Sequence, residues 1–227
     1  KDCYRKFDRI FTVSDEVKQS FLNVYPECSG RTYVFHNLIN QEEIRRKAEL
    51  PGGFEDSYDG KRILTVGRLT AQKAYEFSID AMKLLKDHGV KARWYVLGEG
   101  ELREKLQFKI NKLGLKDDFI LMGARENPFP YYKECDLYVH ASRFEGKSIA
   151  IQEAQTLGCT LVVSDCSGNR EQVEPGVDGM MCRLDAKEIC DTVEALLKDE
   201  EKCRKLGKKA AEKSFLEDKD VLKPFDF

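Results

Sequence analysis

Short apolar runs alternate with segments of helical spacing along most of the chain. Ile10 to Val13 and Tyr33 to Phe35 read as strands. The helix between them, Ser14 to Tyr25, carries Asp15 and Glu16 in its first turn, where carboxylates suit the positive end of the helix dipole. Pro51 to Gly60 combines Pro, Gly and acidic residues and reads as a loop or hairpin. From there the alternation predicts a strand over Arg62 to Val66, a helix over Tyr75 to Asp87, a strand over Arg93 to Leu97, a helix over Glu101 to Leu113 and a strand over Phe119 to Met122. A short helical turn near Pro130 to Cys135, a strand over Leu137 to His140, a helix over Ser148 to Leu157 and a strand over Thr160 to Ser164 follow. This order predicts right-handed β-α-β crossovers and an α/β fold with a mainly parallel, doubly wound sheet flanked by helices.

The last third reads as two amphipathic helices, Lys187 to Leu197 and Glu200 to Lys213. Basic residues in the second alternate with acids, which marks a solvated face rather than a nucleic-acid or membrane surface. Residues 1–213 therefore belong to the α/β unit. Residues 214–227 form a tail whose Phe215, Leu216, Val221, Leu222, Phe225 and Phe227 suit contact with a partner surface.

Composition narrows the class. With 227 residues and 41% hydrophobic content the chain can bury a sizeable core. Lys plus Arg number 38 against 40 Asp plus Glu, so any anion binding must be local. Eight cysteines without a C-x-x-C pair argue against zinc and for reduced, mostly buried thiols. With no Asn-x-Ser/Thr sequon, no signal peptide and no apolar run of membrane-spanning length, the expectation is a cytoplasmic protein, at most peripheral to a membrane. The first residue is Lys1, not Met, so a longer parent protein is expected.

Candidate chemistry sits after the strand ends, where ligands of doubly wound sheets collect. Arg143-Phe144-Glu145-Gly146-Lys147-Ser148-Ile149-Ala150-Ile151-Gln152-Glu153 joins a strand to a helix. Ser148 can cap that helix, whose free first-turn N–H groups suit a phosphate. Glu145 and Glu153 suit hydroxyls, so the combination fits a ligand with both phosphates and sugars. Gly67-Arg68-Leu69 with Lys73 adds a forked guanidinium and a point charge for a diphosphate. Gly98 and Gly100 lack the third glycine of a dinucleotide fingerprint, and no phosphate loop of the ATPase type occurs. His140 suits a structural role better than a general base, Trp94 reads as a partly buried strand residue, and Asp218-Lys219-Asp220 reads as surface charge.

Taken together these segments resemble glycosyltransferase family 4. The resemblance rests on Gly67-Arg68-Leu69 with Lys73, Gly98-Glu99-Gly100-Glu101-Leu102, and Glu145-Gly146 with Glu153 and Ala154 in an E-x7-E pattern. Val13-Ser14, His36-Asn37, Asp136-Leu137-Tyr138-Val139 with Ser142, and Gly176-Val177-Asp178-Gly179 extend it over nearly the whole chain. It implies a GT-B architecture of two Rossmann-like domains, this chain being the C-terminal, nucleotide-sugar-binding one. The implied function is transfer of a hexose or hexosamine, with retention, from a nucleoside diphosphate sugar to a glycan or lipid-linked glycan acceptor held by an N-terminal domain. No metal or other cofactor is expected. By the same resemblance Arg68 and Lys73, in the loop after Gly67, hold the diphosphate, Glu145 the donor sugar and Glu153 the ribose. Backbone around Gly146, Lys147, Ser148 and Ile149 meets the sugar or distal phosphate, and the base lies near Gly123 to Glu126, which includes Arg125. Lys147 and Ser148 depart from the Phe-Gly or Phe-Pro common after Glu-Gly, Leu38 from an Asn-Gly turn, and Ala74 from a frequent Gly. The run resembles bacterial capsular or surface polysaccharide enzymes. Two alternatives are a catalytically silent nucleotide-sugar module paired with an active partner, and another GT-B enzyme such as a sugar-nucleotide epimerase.

Overall fold

The computed structural model describes residues 3–216. Its elements follow in the order β1 (Ile10–Thr12), α1 (Asp15–Val24), β2 (Thr32–Val34), α2 (Gln41–Ala48), β3 (Lys61–Val66), α3 (Tyr75–Asp87), β4 (Ala92–Leu97) and α4 (Arg103–Lys112). Then come β5 (Phe119–Gly123), α5 (Phe129–Glu134), β6 (Leu137–His140), α6 (Ile149–Thr156), β7 (Leu161–Ser164), α7 (Ser167–Arg170), β8 (Met180–Cys182), α8 (Ala186–Leu197) and α9 (Glu200–Ala211). β1 and β2 pair in parallel as a two-stranded sheet of their own. The main sheet has the order β5-β4-β3-β6-β7-β8 and every pairing in it is parallel.

Strand order reverses between β3 and β6: the chain steps outward from β3 to β5, then returns to β6 on the other side of β3. Such a reversal opens a crevice at the carboxyl ends of the two strands. Alternate residues supply the two packed layers. Ile63, Trp94, Val96, Leu137, Val139 and Val162 face the layer that includes α3, α4 and α8, while Leu64, Tyr95, Tyr138, Leu161 and Val163 face the layer with α5 and α6. β6 and β7 are buried along their whole length, as strands covered on both faces must be. Each large side chain so buried contributes about 1.5–3 kcal/mol. Trp94, expected to be partly buried, is fully enclosed and donates from its indole to Thr65 Oγ1 at 2.9 Å, which satisfies the one polar atom it takes into the core.

Gly98 and Gly100 have a packing role. Gly98 has φ of 151°, and a Cβ there would overlap the Gly67 carbonyl. A Cβ on Gly100 would stand 2.5 Å from the Leu69 oxygen. The exits of β3 and β4 are thus pressed together, with Leu69 buried between them and its N–H donating to Glu99 O at 2.9 Å. This fixes the base of the loop that carries Arg68.

The start of the expected tail lies against the chain itself: Ile39 N–H donates to Leu216 O at 2.8 Å and Phe215 N–H to Gln41 Oε1 at 3.4 Å. The remainder of that tail, with Asp218-Lys219-Asp220, lies outside the described residues. All eight cysteines are free thiols, five of them buried. Among the described residues no helix is long and apolar enough to cross a membrane.

Candidate functional site

The loop after β3 makes one 3-10 turn over Ala71–Lys73 and ends at Ala74, whose φ of 47° is left-handed. A residue with a Cβ is strained there, which accounts physically for the glycine that often stands at this place in the resembling family. The turn aims Lys73 back at the sheet. Its Nζ donates to Glu145 Oε1 at 2.7 Å and lies 3.2 Å from His140 Nε2, with 13% of the lysine side chain and 6% of the glutamate side chain exposed.

His140 completes the cluster from the end of β6. Its Nε2 is 3.1 Å from Glu145 Oε1 and its Nδ1 is 3.0 Å from Tyr138 Oη. The tautomer that avoids opposed lone pairs has Nε2–H donating to the carboxylate and the Tyr138 hydroxyl donating to Nδ1. Burial, then the Lys73 charge, pushes His140 below its ordinary value against the pull of Glu145, so the ring is neutral at neutral pH. Burial would raise Glu145, but the His140 bond and the neighbouring charges outweigh it and hold the carboxyl at about 2. Its second oxygen has only a long contact, 3.4 Å from Gln72 Nε2, and so keeps acceptor capacity for an incoming hydroxyl. His140, expected to be structural, stands between Tyr138 and Glu145, within hydrogen-bond distance of both.

The turn after Glu145 is wedged between two elements. A Cβ on Gly146 would meet Val13 Cγ2 at 3.1 Å on one side, while a Cβ on Gly168 of α7 would press on the Glu145 carbonyl at 2.6 Å from the other. Asn37 Nδ2 donates to the Lys147 carbonyl at 2.9 Å, and Lys147 Nζ lies 3.1 Å from His36 Nδ1. Burial lowers the pKa of Lys147. Ser148 occupies the N-cap position of α6 but makes no side-chain capping bond, contrary to expectation. Its Oγ is not held by the helix, and the first-turn N–H groups from Ile149 onward are left for another acceptor.

The other expected residues are more dispersed. Arg68 is exposed, and its guanidinium has no hydrogen-bond or ion-pair partner among the described residues. The Gly67 carbonyl accepts from Tyr75 Oη at 2.8 Å. Glu153, within α6, accepts from Tyr132 Oη at 3.0 Å and is raised by burial to about 6. Gly123 ends β5 with φ of 81°. Arg125 contacts Tyr131 Oη at 3.2 Å and the Ala124 carbonyl at 3.2 Å, apart from the Lys73–His140–Glu145 cluster. Sequence reasoning gave no individual role to Gln72, Tyr132, Tyr138 or Gly168. His140 gave a usable signal, a histidine closing a strand five residues before Glu145. Nothing local marked Tyr132. A groove of about 890 Å³, lined in part by Glu16, Val17 and Phe21 of α1 and by Glu145 and Gly146, opens beside the cluster.

The profile of the glycosyl transferases group 1 family matches residues 41–213. An uncharacterized glycosyltransferase of Methanocaldococcus jannaschii is 30% identical over 182 residues, covering 77% of this chain and 44% of that protein. A Campylobacter jejuni N-acetylgalactosamine-N,N'-diacetylbacillosaminyl-diphospho-undecaprenol 4-alpha-N-acetylgalactosaminyltransferase is 29% identical over 210 residues, covering 92% of this chain and 55% of that enzyme. The chain thus spans about half the length of these curated relatives. Among solved structures, Anabaena HepE with UDP and glucose superposes with a TM-score of 0.79 at 19% identity, over 91% of this chain and 58% of that one. A Staphylococcus aureus TarM mutant in complex with Fondaparinux, alpha-GlcNAc-glycerol and UDP gives 0.76 at 18% identity, over 92% and 40%. The Rossmann-like α/β fold expected from the sequence is the one shared with these GT-B proteins. By its match over most of its length, this chain belongs to the group 1 glycosyl transferases.

Proposed function

We propose that the chain is the donor-binding part of a retaining glycosyltransferase. It binds a nucleoside diphosphate hexose or hexosamine and presents the sugar to a glycan or lipid-linked glycan acceptor held by a preceding domain, in the cytoplasm. The observation that carries this reading is the Lys73–His140–Glu145 cluster at the strand-order reversal, beside the uncapped start of α6. The relatives' names add that members of the family transfer sugars, and the Anabaena neighbour was solved with UDP and glucose.

In this reading the work divides as follows. Arg68 forks onto the diphosphate, and Lys73 supplies a fixed positive charge near the anomeric leaving group. The α6 N–H groups at Lys147 to Ile149 receive the distal phosphate or the sugar. Fixed cationic groups that stabilise a departing diphosphate are the electrostatic form of catalysis, and no metal is assigned to that step. Glu145, ionised and immobile, accepts from the sugar hydroxyls. Glu153 accepts from the ribose, and backbone near Gly123 and Arg125 receives the base. Incubating the full-length protein with UDP-, GDP- and ADP-sugars and a panel of glycan and lipid-linked glycan acceptors tests the reading. Turnover with the α-anomer of an α-linked donor kept in the product is expected; an inverted anomer would refute retention, and no turnover of any donor would refute transfer.

Glu153 gives a pH test. A free-state value of about 6 leaves roughly a tenth of the carboxyls ionised at pH 5, so an ionised acceptor for ribose makes nucleoside diphosphate binding about tenfold weaker at pH 5 than at pH 7.5. Glu153→Gln is expected to flatten that part of the profile, and Glu153→Ala to cost about 1–3 kcal/mol of affinity. Calorimetry across pH 5–7.5 checks both, and an unchanged profile in Glu153→Gln would remove Glu153 from the ribose site. For the unliganded fold the sign is opposite. A carboxyl raised from 4.5 to about 6 favours the protonated state, so stability declines by about 2 kcal/mol as pH rises through that window.

A further inference from the structure

Far from the donor crevice, α3 ends against α8, the two helices packing through Met82, Leu85, Ile189 and Val193. At that end three donor atoms of different chemistry converge: His88 Nδ1, Cys190 Sγ and Glu194 Oε2 lie within 4.8 Å of one another. We propose that His88, Cys190 and Glu194 form a binding site for a divalent cation of the zinc class, which staples the end of α3 to α8.

The donor set and its spacing suit such an ion. Cys190 and Glu194 stand one turn apart on α8, and His88 follows the last residue of α3. The imidazole Nδ1 is 3.8 Å from the sulfur. A tetrahedral ion with bonds of about 2.3 Å to sulfur and about 2.0–2.1 Å to nitrogen sets those donors about 3.5 Å apart. Glu194 Oε2 is 2.7 Å from Nδ1, so the proton now shared between them would leave and the pair would open by roughly half an ångström. Glu194 is oriented for this. Its other oxygen accepts from Lys198 Nζ at 2.6 Å, which turns Oε2 toward the histidine. His88 keeps 44% of its side chain exposed, so water can enter and supply the fourth ligand. Thiolate, imidazole and carboxylate together select a borderline-soft ion over magnesium or calcium, which prefer oxygen alone. Binding releases the Cys190 thiol proton to solvent, and the imidazole proton given up at Nδ1 is replaced through solvent by one on Nε2, so the ring stays neutral.

Cobalt(II) is the probe, because a thiolate ligand gives it a charge-transfer absorption in the near ultraviolet and tetrahedral coordination gives visible bands. The expected result is a saturable signal at one equivalent, displaced by zinc, with a rise in the unfolding temperature on adding zinc. Both responses should vanish in His88→Gln, an exposed substitution that spares the core, and in Cys190→Ala. No thiolate band in the wild type, or a band of unchanged intensity in His88→Gln, would overturn the site. The readouts involve no sugar nucleotide, so their outcome is independent of the donor-binding proposal.

Discussion

Glu145→Gln is expected to lower the stability of the fold by about 3–5 kcal/mol, because it leaves the Lys73 ammonium buried without its counter-charge. The side chains of Lys73 and Glu145 are 13% and 6% exposed, and the pair is closed at 2.7 Å with His140 as the third member. Lys73→Met should cost a similar amount by stranding the carboxylate. The double variant should be less damaged than the sum of the two by about 2 kcal/mol, since it removes both charges from the interior. Urea unfolding of the four proteins measures the coupling, and additive losses would show that the pair is solvated. The pH dependence has a definite sign. Glu145 lies at about 2 against an ordinary 4.5, so its contribution is complete above about pH 4.5 and is lost as pH falls toward 2. Glu145→Gln should therefore be less sensitive than the wild type to acid in that window.

Gly168→Ala is expected to fold yet to lose about 100-fold in kcat/KM in the full-length protein. Its new methyl group would stand 2.6 Å from the Glu145 carbonyl and closer still to that of Gly146, both backbone atoms that a side-chain rotation cannot move aside. The turn cannot simply retreat, since Val13 and Val17 line its other side. Overpacking of this kind costs about 1–3 kcal/mol of stability. A displacement of about 1 Å at a reacting group costs on the order of 100-fold in rate. Arg68 and Glu153 do not touch this turn, so affinity for the nucleoside diphosphate alone should fall by less than kcat/KM, only by what the Lys147 to Ile149 N–H groups contribute at the distal phosphate. Wild-type turnover in Gly168→Ala would show that the Glu145–Gly146 turn does not hold the reacting sugar.

The alternation of apolar and helical segments made most of the main sheet legible. In β6 and β7 the apolar runs are nearly continuous because helices cover both faces, and such runs stand out in sequence. What escaped was short or weakly apolar. α2 buries only Gln41, Ile44 and Ala48, β8 has three residues at a sheet edge, and α7 has four. The separation of β1–β2 from the main sheet was also invisible, since pairing partners are not encoded in periodicity. At the site, strand ends pointed to Lys73 and Glu145, yet the ion pair spans 72 residues of sequence and needed the fold to bring it together. The missing third glycine ruled out a dinucleotide fingerprint at Gly98 and Gly100, but the packing that requires them, against Gly67 and Leu69 of the neighbouring strand exit, was not legible. Ser148 had the right chemistry for a cap, but a side-chain rotamer decides whether a cap forms.

The proposed donor site is the crevice between β3 and β6, where a nucleoside diphosphate sugar would be held. Calorimetric titration with UDP, GDP and ADP, each alone and as its sugar conjugate, tests it most directly. One nucleotide family is predicted to bind at a single site, with the sugar conjugate distinguished from the bare diphosphate in the wild type but not in Glu145→Ala. No heat from any of them at millimolar concentration, or equal binding of all forms by wild type and variant, would contradict the account.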